Sequence, residues 1–204
     1  PDKVALSLSR LDLKFAVITS VDRDDLEDGG AGHWVKTVAA IRCRCPKIKI
    51  ETLIPDFQGN TDLIRQVCEA RPDVLAHNLE TVESLQSVVR PQCRYEWSLK
   101  TLKIAAATEG VIVKSGLMLG LGEKREEVIQ AMRDLVYAGC QILSLGQYLR
   151  PSPAHMEVVE FIHPDRFAEY KVIGELLGLK HVEAGPLVRS SYLADQQAQA
   201  VGLD

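Results

Sequence analysis

Val111-Ile112-Val113-Lys114-Ser115-Gly116-Leu117-Met118-Leu119-Gly120-Leu121-Gly122-Glu123 leads into an amphipathic segment that stops at Gly139, and Ile142-Leu143-Ser144-Leu145 follows. The opening run is apolar and β-branched with little polar alternation, as a strand covered on both faces requires. In 123–138 the apolar residues Val128, Ile129, Met132, Leu135 and Val136 fall on one helical face. Glu123, Glu126 and Glu127 crowd its first turn, where the helix dipole favours negative charge, and Gly139 supplies the stop. Strand, helix and strand at this spacing form a unit with parallel strands, the mark of an α/β fold.

The alternation continues on both sides. Further strands are expected at 15–21, 48–54, 74–77 and, weakly, 181–187. Helices are expected at 3–11, 32–42, 61–70, 82–89, 95–107 and 164–177, the last opened by Pro164 and closed before Gly178. A doubly wound sheet and a barrel both satisfy this pattern. No repeat longer than the strand–helix unit, no low-complexity linker and no break in composition divides the chain, so 1–204 reads as one domain.

Composition narrows the function. The 204 residues are enough for a sizeable core, and 46% are apolar, as in ordinary globular proteins. No apolar run reaches the roughly 18 residues that span a membrane. A net charge of −4 with scattered basic residues argues against nucleic-acid binding. The N-terminus lacks a signal pattern and begins with Pro1, which reads as a fragment, a processed chain or a trimmed one. The five cysteines are odd in number and irregular in spacing, which does not suit a secreted disulfide framework. Cys43-Arg44-Cys45 is the single close pair and lacks the C-x-x-C spacing of a metal or redox site. Cys68 and Cys140 are expected as packed thiols on apolar helical faces.

Polar residues collect where the strands end: Thr19 to Asp25, Pro55-Asp56-Phe57, His77 to Glu80, Gly120 to Glu123, and Gly146-Gln147-Tyr148. Barrels and open α/β sheets place their active sites at that edge. The acidic loop Asp22-Arg23-Asp24-Asp25 serves either a cationic ligand or a solvated turn. Gly116 to Glu123 contains G-x-G but neither the dinucleotide nor the triphosphate fingerprint, so its glycines imply only a close backbone approach. In His77-Asn78-x-Glu80 the residues 78 and 80 share a strand face, which favours a common small polar ligand over a metal. Arg189-Ser190-Ser191-Tyr192 reads either as a helix start with a serine cap or as part of a site.

Five stretches resemble the lipoyl synthase family in order and spacing: Val17 to Leu26, His77 to Val82, Lys114 to Glu123, Leu145 to Leu149, and Gly185-Pro186-Leu187-Val188-Arg189-Ser190-Ser191-Tyr192. The likeness covers nearly all of 1–195. It implies a partial (β/α)6 TIM-like barrel of the radical S-adenosylmethionine type. The implied activity is insertion of two sulfur atoms into a protein-bound octanoyl-lysine to give lipoyl-lysine. The implied cofactors are S-adenosylmethionine and two [4Fe–4S] clusters. One cluster reduces S-adenosylmethionine to give a 5′-deoxyadenosyl radical; the auxiliary cluster donates sulfur. By position, Ser191 is expected to ligate an iron of the auxiliary cluster, with Arg189 in the same motif. Ser20, Asp22, Asn78, Glu80, Lys114, Gly120, Gly122, Glu123 and Gln147 are expected around S-adenosylmethionine. The implied partners are octanoylated lipoyl carrier domains or a glycine-cleavage H protein, and a reductant such as ferredoxin or flavodoxin. The implied compartment is a bacterial cytoplasm, or a mitochondrion or plastid.

The sequence departs from the family in one respect that bears on chemistry. Neither the C-x3-C-x2-C loop of the radical cluster nor the C-x4-C-x5-C run of the auxiliary cluster occurs in these 204 residues. Three soft thiolates must hold each such cluster. The chain therefore reads as the C-terminal two-thirds of the enzyme, with the first barrel strand absent. It is expected to be inactive alone and of low stability because an apolar strand edge is bare. A cluster-free module that binds an octanoylated or lipoylated carrier domain without catalysis is the alternative.

Overall fold

The computed structural model describes residues 1–11 and 13–203. Six strands lie side by side in chain order: β1 (Phe15–Thr19), β2 (Lys49–Leu53), β3 (Val74–Ala76), β4 (Ile112–Leu119), β5 (Ile142–Gln147) and β6 (His181–Gly185). Every neighbouring pair is parallel. Thr19 sits beside Leu53, Leu53 beside Ala76, Ala76 beside Lys114, and Gly116 beside Ser144. Among the described residues β1 and β6 do not pair, so the sheet stays open as a partial barrel.

Eight helices accompany the strands among the described residues: α1 (Asp2–Leu11), α2 (Ala31–Arg44), α3 (Thr61–Glu69), α4 (Glu83–Val89), α5 (Tyr95–Ala106), α6 (Arg125–Tyr137), α7 (Pro164–Leu177) and α8 (Ala194–Ala200). Ile54, Leu75, Val113, Leu143 and Val182 from the sheet region meet Val67, Leu102, Val128, Met132, Leu135 and Phe167 from the helices in one core. Burying each such side chain stabilises the fold by about 1.5–3 kcal/mol. This core lies on the helix-covered face.

The inner face is polar. Strand alternation turns Lys114, Gly116 and Met118 away from the face of Val113 and Ser115. The Lys114 ammonium meets Glu51 across the sheet, at 3.0 Å from Oε1 and 3.2 Å from Oε2, and both side chains are only 1% exposed. Higher on the same face Ser144 donates to Gln197 Oε1 of α8 at 3.2 Å. The last helix therefore lies against the inside of the sheet.

Four local expectations change. α6 begins at Arg125, because Glu127 closes a capping box on the Lys124 N–H while Glu123 stays outside the helix. β1 and β6 stop at Thr19 and Gly185, short of 21 and 187; Pro186 has no N–H to extend the ladder. The Arg189–Tyr192 serines do not cap a helix: α8 starts at Ala194, after Leu193 in a left-handed conformation, with no side-chain cap. Cys140 is buried as expected, but between α6 and β5 and not on a helical face.

Candidate functional site

The strand ends open into a cleft with two lobes. One, of about 180 Å³, is lined by residues of β4 and β5 and by Val188, Arg189 and Ser190. The other, of about 360 Å³, is lined by Thr19 to Asp22, the end of β2, His77 and Arg90. Asn78 and Glu80 line both, so they form the wall between the lobes.

That wall is built by continuing β3 along β4 beyond its last paired residue. The Glu80 N–H donates to Gly116 O at 2.9 Å, and the Met118 N–H donates to Glu80 O at 2.8 Å. Ser115 Oγ accepts from the Leu79 N–H at 3.2 Å. Glu80 adopts a φ of 68°, a left-handed conformation that glutamate seldom takes, and this is the strained residue of the wall. Asn78 Oδ1 is buried and has no hydrogen-bond partner among the described residues. A β-carbon on Gly116 would stand 2.8 Å from that oxygen. Burial raises the Glu80 carboxyl above its ordinary range, while the Asn78 amide and the Arg90 guanidinium pull it down.

His77 takes no part in the cleft chemistry. Its ring turns to the helix side, with Nδ1 2.8 Å from Ile54 O and Nε2 2.9 Å from Ser98 Oγ. Burial pushes its pKa down to about 4, so the ring is neutral at physiological pH and bridges β2 to α5.

The other expected residues separate into lining and support. Ser20 and Asp22 form the lip of the second lobe. Asp22 is exposed as a residue, yet the adjoining wall desolvates its carboxyl and raises it, against the pull of Arg90. Gln147 lines the first lobe, but its amide is fully committed: Nε2 donates to Tyr148 O and Glu160 O, each at 3.0 Å, and Oε1 accepts from the Ile162 N–H at 2.9 Å. Gly120 lies under this strap, since a β-carbon there would strike Glu160 O and the Gln147 amide. The Glu123 carboxylate caps the Gly120 and Leu121 N–H groups at 2.6 and 2.9 Å. Gly120, Gly122 and Glu123 thus shape the wall from behind and are not among the lining residues of either lobe. Lys114 lies one inward position below Gly116 and is held by Glu51. Arg189 and Ser190 line the first lobe, and Ser191 is exposed one residue further along the same rim.

Arg90 carried no expected role at the cleft, Gly146 none beyond its place at a strand end, and Gly116 only that of a close backbone approach. The two glycines had a readable signal, because glycine inside a strand marks a close approach. A β-carbon at Gly146 would strike Val188 O. Arg90 had none beyond its place before Pro91.

A profile of the radical SAM superfamily matches residues 2–135. Lipoyl synthase of Treponema denticola is 50% identical over 196 residues, 96% of this chain and 67% of that protein. The mitochondrial lipoyl synthase of Nematostella vectensis is 52% identical over 196 residues, with the same shares covered. This chain belongs to the lipoyl synthase family. It spans about two-thirds of the length of those relatives. In fold it is similar to the crystal structure of methylornithine synthase (PylB), with a TM-score of 0.60 at 15% identity over 72% of this chain and 43% of that one.

Membership in the lipoyl synthase family implies S-adenosylmethionine and iron–sulfur chemistry, and the two fit these residues unequally. The unpartnered Asn78 oxygen and the raised Glu80 carboxyl suit a ligand rich in hydroxyl and amino donors. An iron–sulfur cluster does not fit. Among the described residues no group of three or more His, Cys, Asp or Glu is placed to hold a metal. The thiols of Cys68, Cys93 and Cys140 are pushed up by burial to about 11, 11 and 12, so they stay protonated. Cys43 and Cys45 are separated by one residue and have no third ligand among the described residues. No helix among the described residues is long and apolar enough to cross a membrane.

Proposed function

We propose that this chain supplies the S-adenosylmethionine-binding wall of a lipoyl synthase, the enzyme that inserts two sulfur atoms into an octanoyl chain carried on a protein lysine. The observation that carries this reading is the buried, unpartnered Asn78 oxygen between two lobes of one cleft, in a chain about half identical to lipoyl synthases. Bound S-adenosylmethionine supplies the hydrogen-abstracting power that an unactivated alkyl chain requires. Asn78 and Glu80 accept hydrogen bonds from its donors. Gly116 and Gly146 make room on the sheet for the Asn78 amide and for Val188 O, which shape the first lobe, and Met118, Leu149 and Val188 exclude water from it. Ser20 and Asp22 close the lip of the second lobe. Gln147, Gly120 and Glu123 hold the wall in place, and Lys114 supports it from below. Ser191 and Arg189 stand where an octanoyl group enters, beside the exposed apolar Leu149, Leu187 and Tyr192. An octanoylated lipoyl carrier domain is the partner of that rim.

These 204 residues contain no thiolate set for either of two [4Fe–4S] clusters, and the chain does not turn over alone. All five cysteines are free, as a reducing compartment such as a bacterial cytoplasm keeps them. Titration calorimetry of the chain with S-adenosylmethionine tests the reading. Binding is expected, and Asn78→Ala is expected to weaken it about tenfold, the loss of one hydrogen bond of about 1.5 kcal/mol. Failure of the wild-type chain to bind removes the proposal.

A further inference from the structure

We infer that Gln197 is the positioning residue of the turn that carries Arg189, Ser190 and Ser191: its side-chain amide ties that turn to β5 and holds the turn's side of the first lobe in place. What the turn is for rests on the functional reading above; how it is held does not.

Val188, Arg189 and Ser190 line the first lobe from the turn, and Ser144 and Gly146 line it from β5. The turn backbone rests on bare strand, since a β-carbon at Gly146 would stand 2.2 Å from Val188 O. The hydrogen bonds made by the turn's own donors are local. The Val188 N–H donates to Gly185 O at 3.1 Å, the Tyr192 N–H to Arg189 O at 2.9 Å, and Arg189 Nη1 to Val188 O at 2.6 Å. None of them reaches β5. Gln197 Nε2 donates to Tyr192 O, and Ser144 Oγ donates to Gln197 Oε1 at 3.2 Å. Among the described residues this is the one hydrogen-bonded path from the turn to β5.

α8 carries three glutamines. Gln196 and Gln199 are exposed, whereas Gln197 is 1% exposed, with the small buried Ala194 and Ala198 on the same side of the helix. The orientation of its amide is dictated by its partners. Tyr192 O can only accept, so the NH2 faces it; the amide oxygen then faces Ser144, whose hydroxyl donates. A methionine at 197 would fill nearly the same space and make neither bond. A carboxylate there would face Tyr192 O with nothing to donate, whereas a protonated carboxyl would donate as the amide does.

The test is amide hydrogen exchange, read as protection factors at Val188 and Tyr192 across a pH series, in the wild-type chain, Gln197→Met, Gln197→Glu, Ser144→Ala and the double variant Ser144→Ala with Gln197→Met. Gln197→Met should lower protection of the turn about tenfold, the effect of one buried hydrogen bond. Gln197→Glu should protect the turn as the wild type does at low pH and lose that protection as the introduced carboxyl ionises. The other charged groups on the packed elements are Glu183 and His181 of β6, Arg189 of the turn and Asp195 of α8; they are the same in every variant, so the difference from wild type isolates that carboxyl. Ser144→Ala should add nothing to Gln197→Met, because its partner is already gone. The assignment is overturned if Gln197→Met protects the turn as the wild type does, if Gln197→Glu shows no pH response beyond that of Gln197→Met, or if the two single effects add. Failure of both Gln197 variants to fold at every pH overturns it too, because the amide then serves the whole fold. Calorimetry judges the functional reading separately: a wild type that binds no S-adenosylmethionine removes that reading and leaves exchange to decide on Gln197.

Discussion

Removing the Lys114 ammonium should destabilise the protein far more than removing Lys114 and the Glu51 charge together. At 3.0 Å the pair attracts with roughly 5–6 kcal/mol at an effective dielectric of about 20. Both groups lose water to form it, which offsets most of that gain. Lys114→Met leaves Glu51 alone on the inner face, and breaking such a pair costs about 3–5 kcal/mol. Against a total stability of about 5–15 kcal/mol, this is a third or more. Glu51 already has its carboxyl raised by burial despite its partner, so the variant is expected to take up a proton there at neutral pH. Lys114→Met combined with Glu51→Leu should return to within about 1–2 kcal/mol of the wild type, as replaced buried pairs do. Urea melts of the three proteins read this directly. With a slope of about 2–3 kcal/mol per molar, the single variant should lose more than 1 M in midpoint. Equal midpoints for single and double variants would refute the reasoning.

Two further outcomes follow from buried polar groups. His77 is held below its ordinary pKa, so as pH falls from about 6.5 to about 4 the unfolded chain takes up a proton that the folded chain refuses. Stability should fall over that window by about 3 kcal/mol on account of this residue. Glu51 and Glu80, with raised carboxyls, act in the opposite sense, so the readout is the difference in slope between wild type and His77→Gln; equal slopes count against it. Gln147→Leu should leave the Ile162 N–H and Glu160 O without partners, at about 1–3 kcal/mol each. Faster hydrogen exchange confined to 158–162 would accompany that loss, and unchanged exchange there would show that the strap is held by something else.

Strand and helix positions were legible because their signals are local. The β-branched run of 111–119, the glutamates ahead of α6, Pro164 and Gly178 each act within a few residues. The openness of the sheet had no local signal, because closure depends on whether β1 meets β6; the likeness to a family, which implied a partial barrel without its first strand, is what made it legible. In the cleft, Asn78 and Glu80 could be found from two-residue spacing at a strand end. Glu123 and Gln147 could not be sorted into support or lining, since their partners are backbone groups 1 to 15 residues away. Arg90 was hidden for the same reason: it reaches the cleft from the end of a helix, where its sequence neighbours carry no sign of Asn78.

The turn bearing Ser191 is tied to α8, because Gln197 donates to Tyr192 O and accepts from Ser144. α8 has only seven residues, too few to be stable unaided. Turn and helix must therefore settle as one unit, and only after Gln197 has been synthesised. A nascent chain whose six strands have already emerged from the ribosome would have a finished floor but an unfinished entrance.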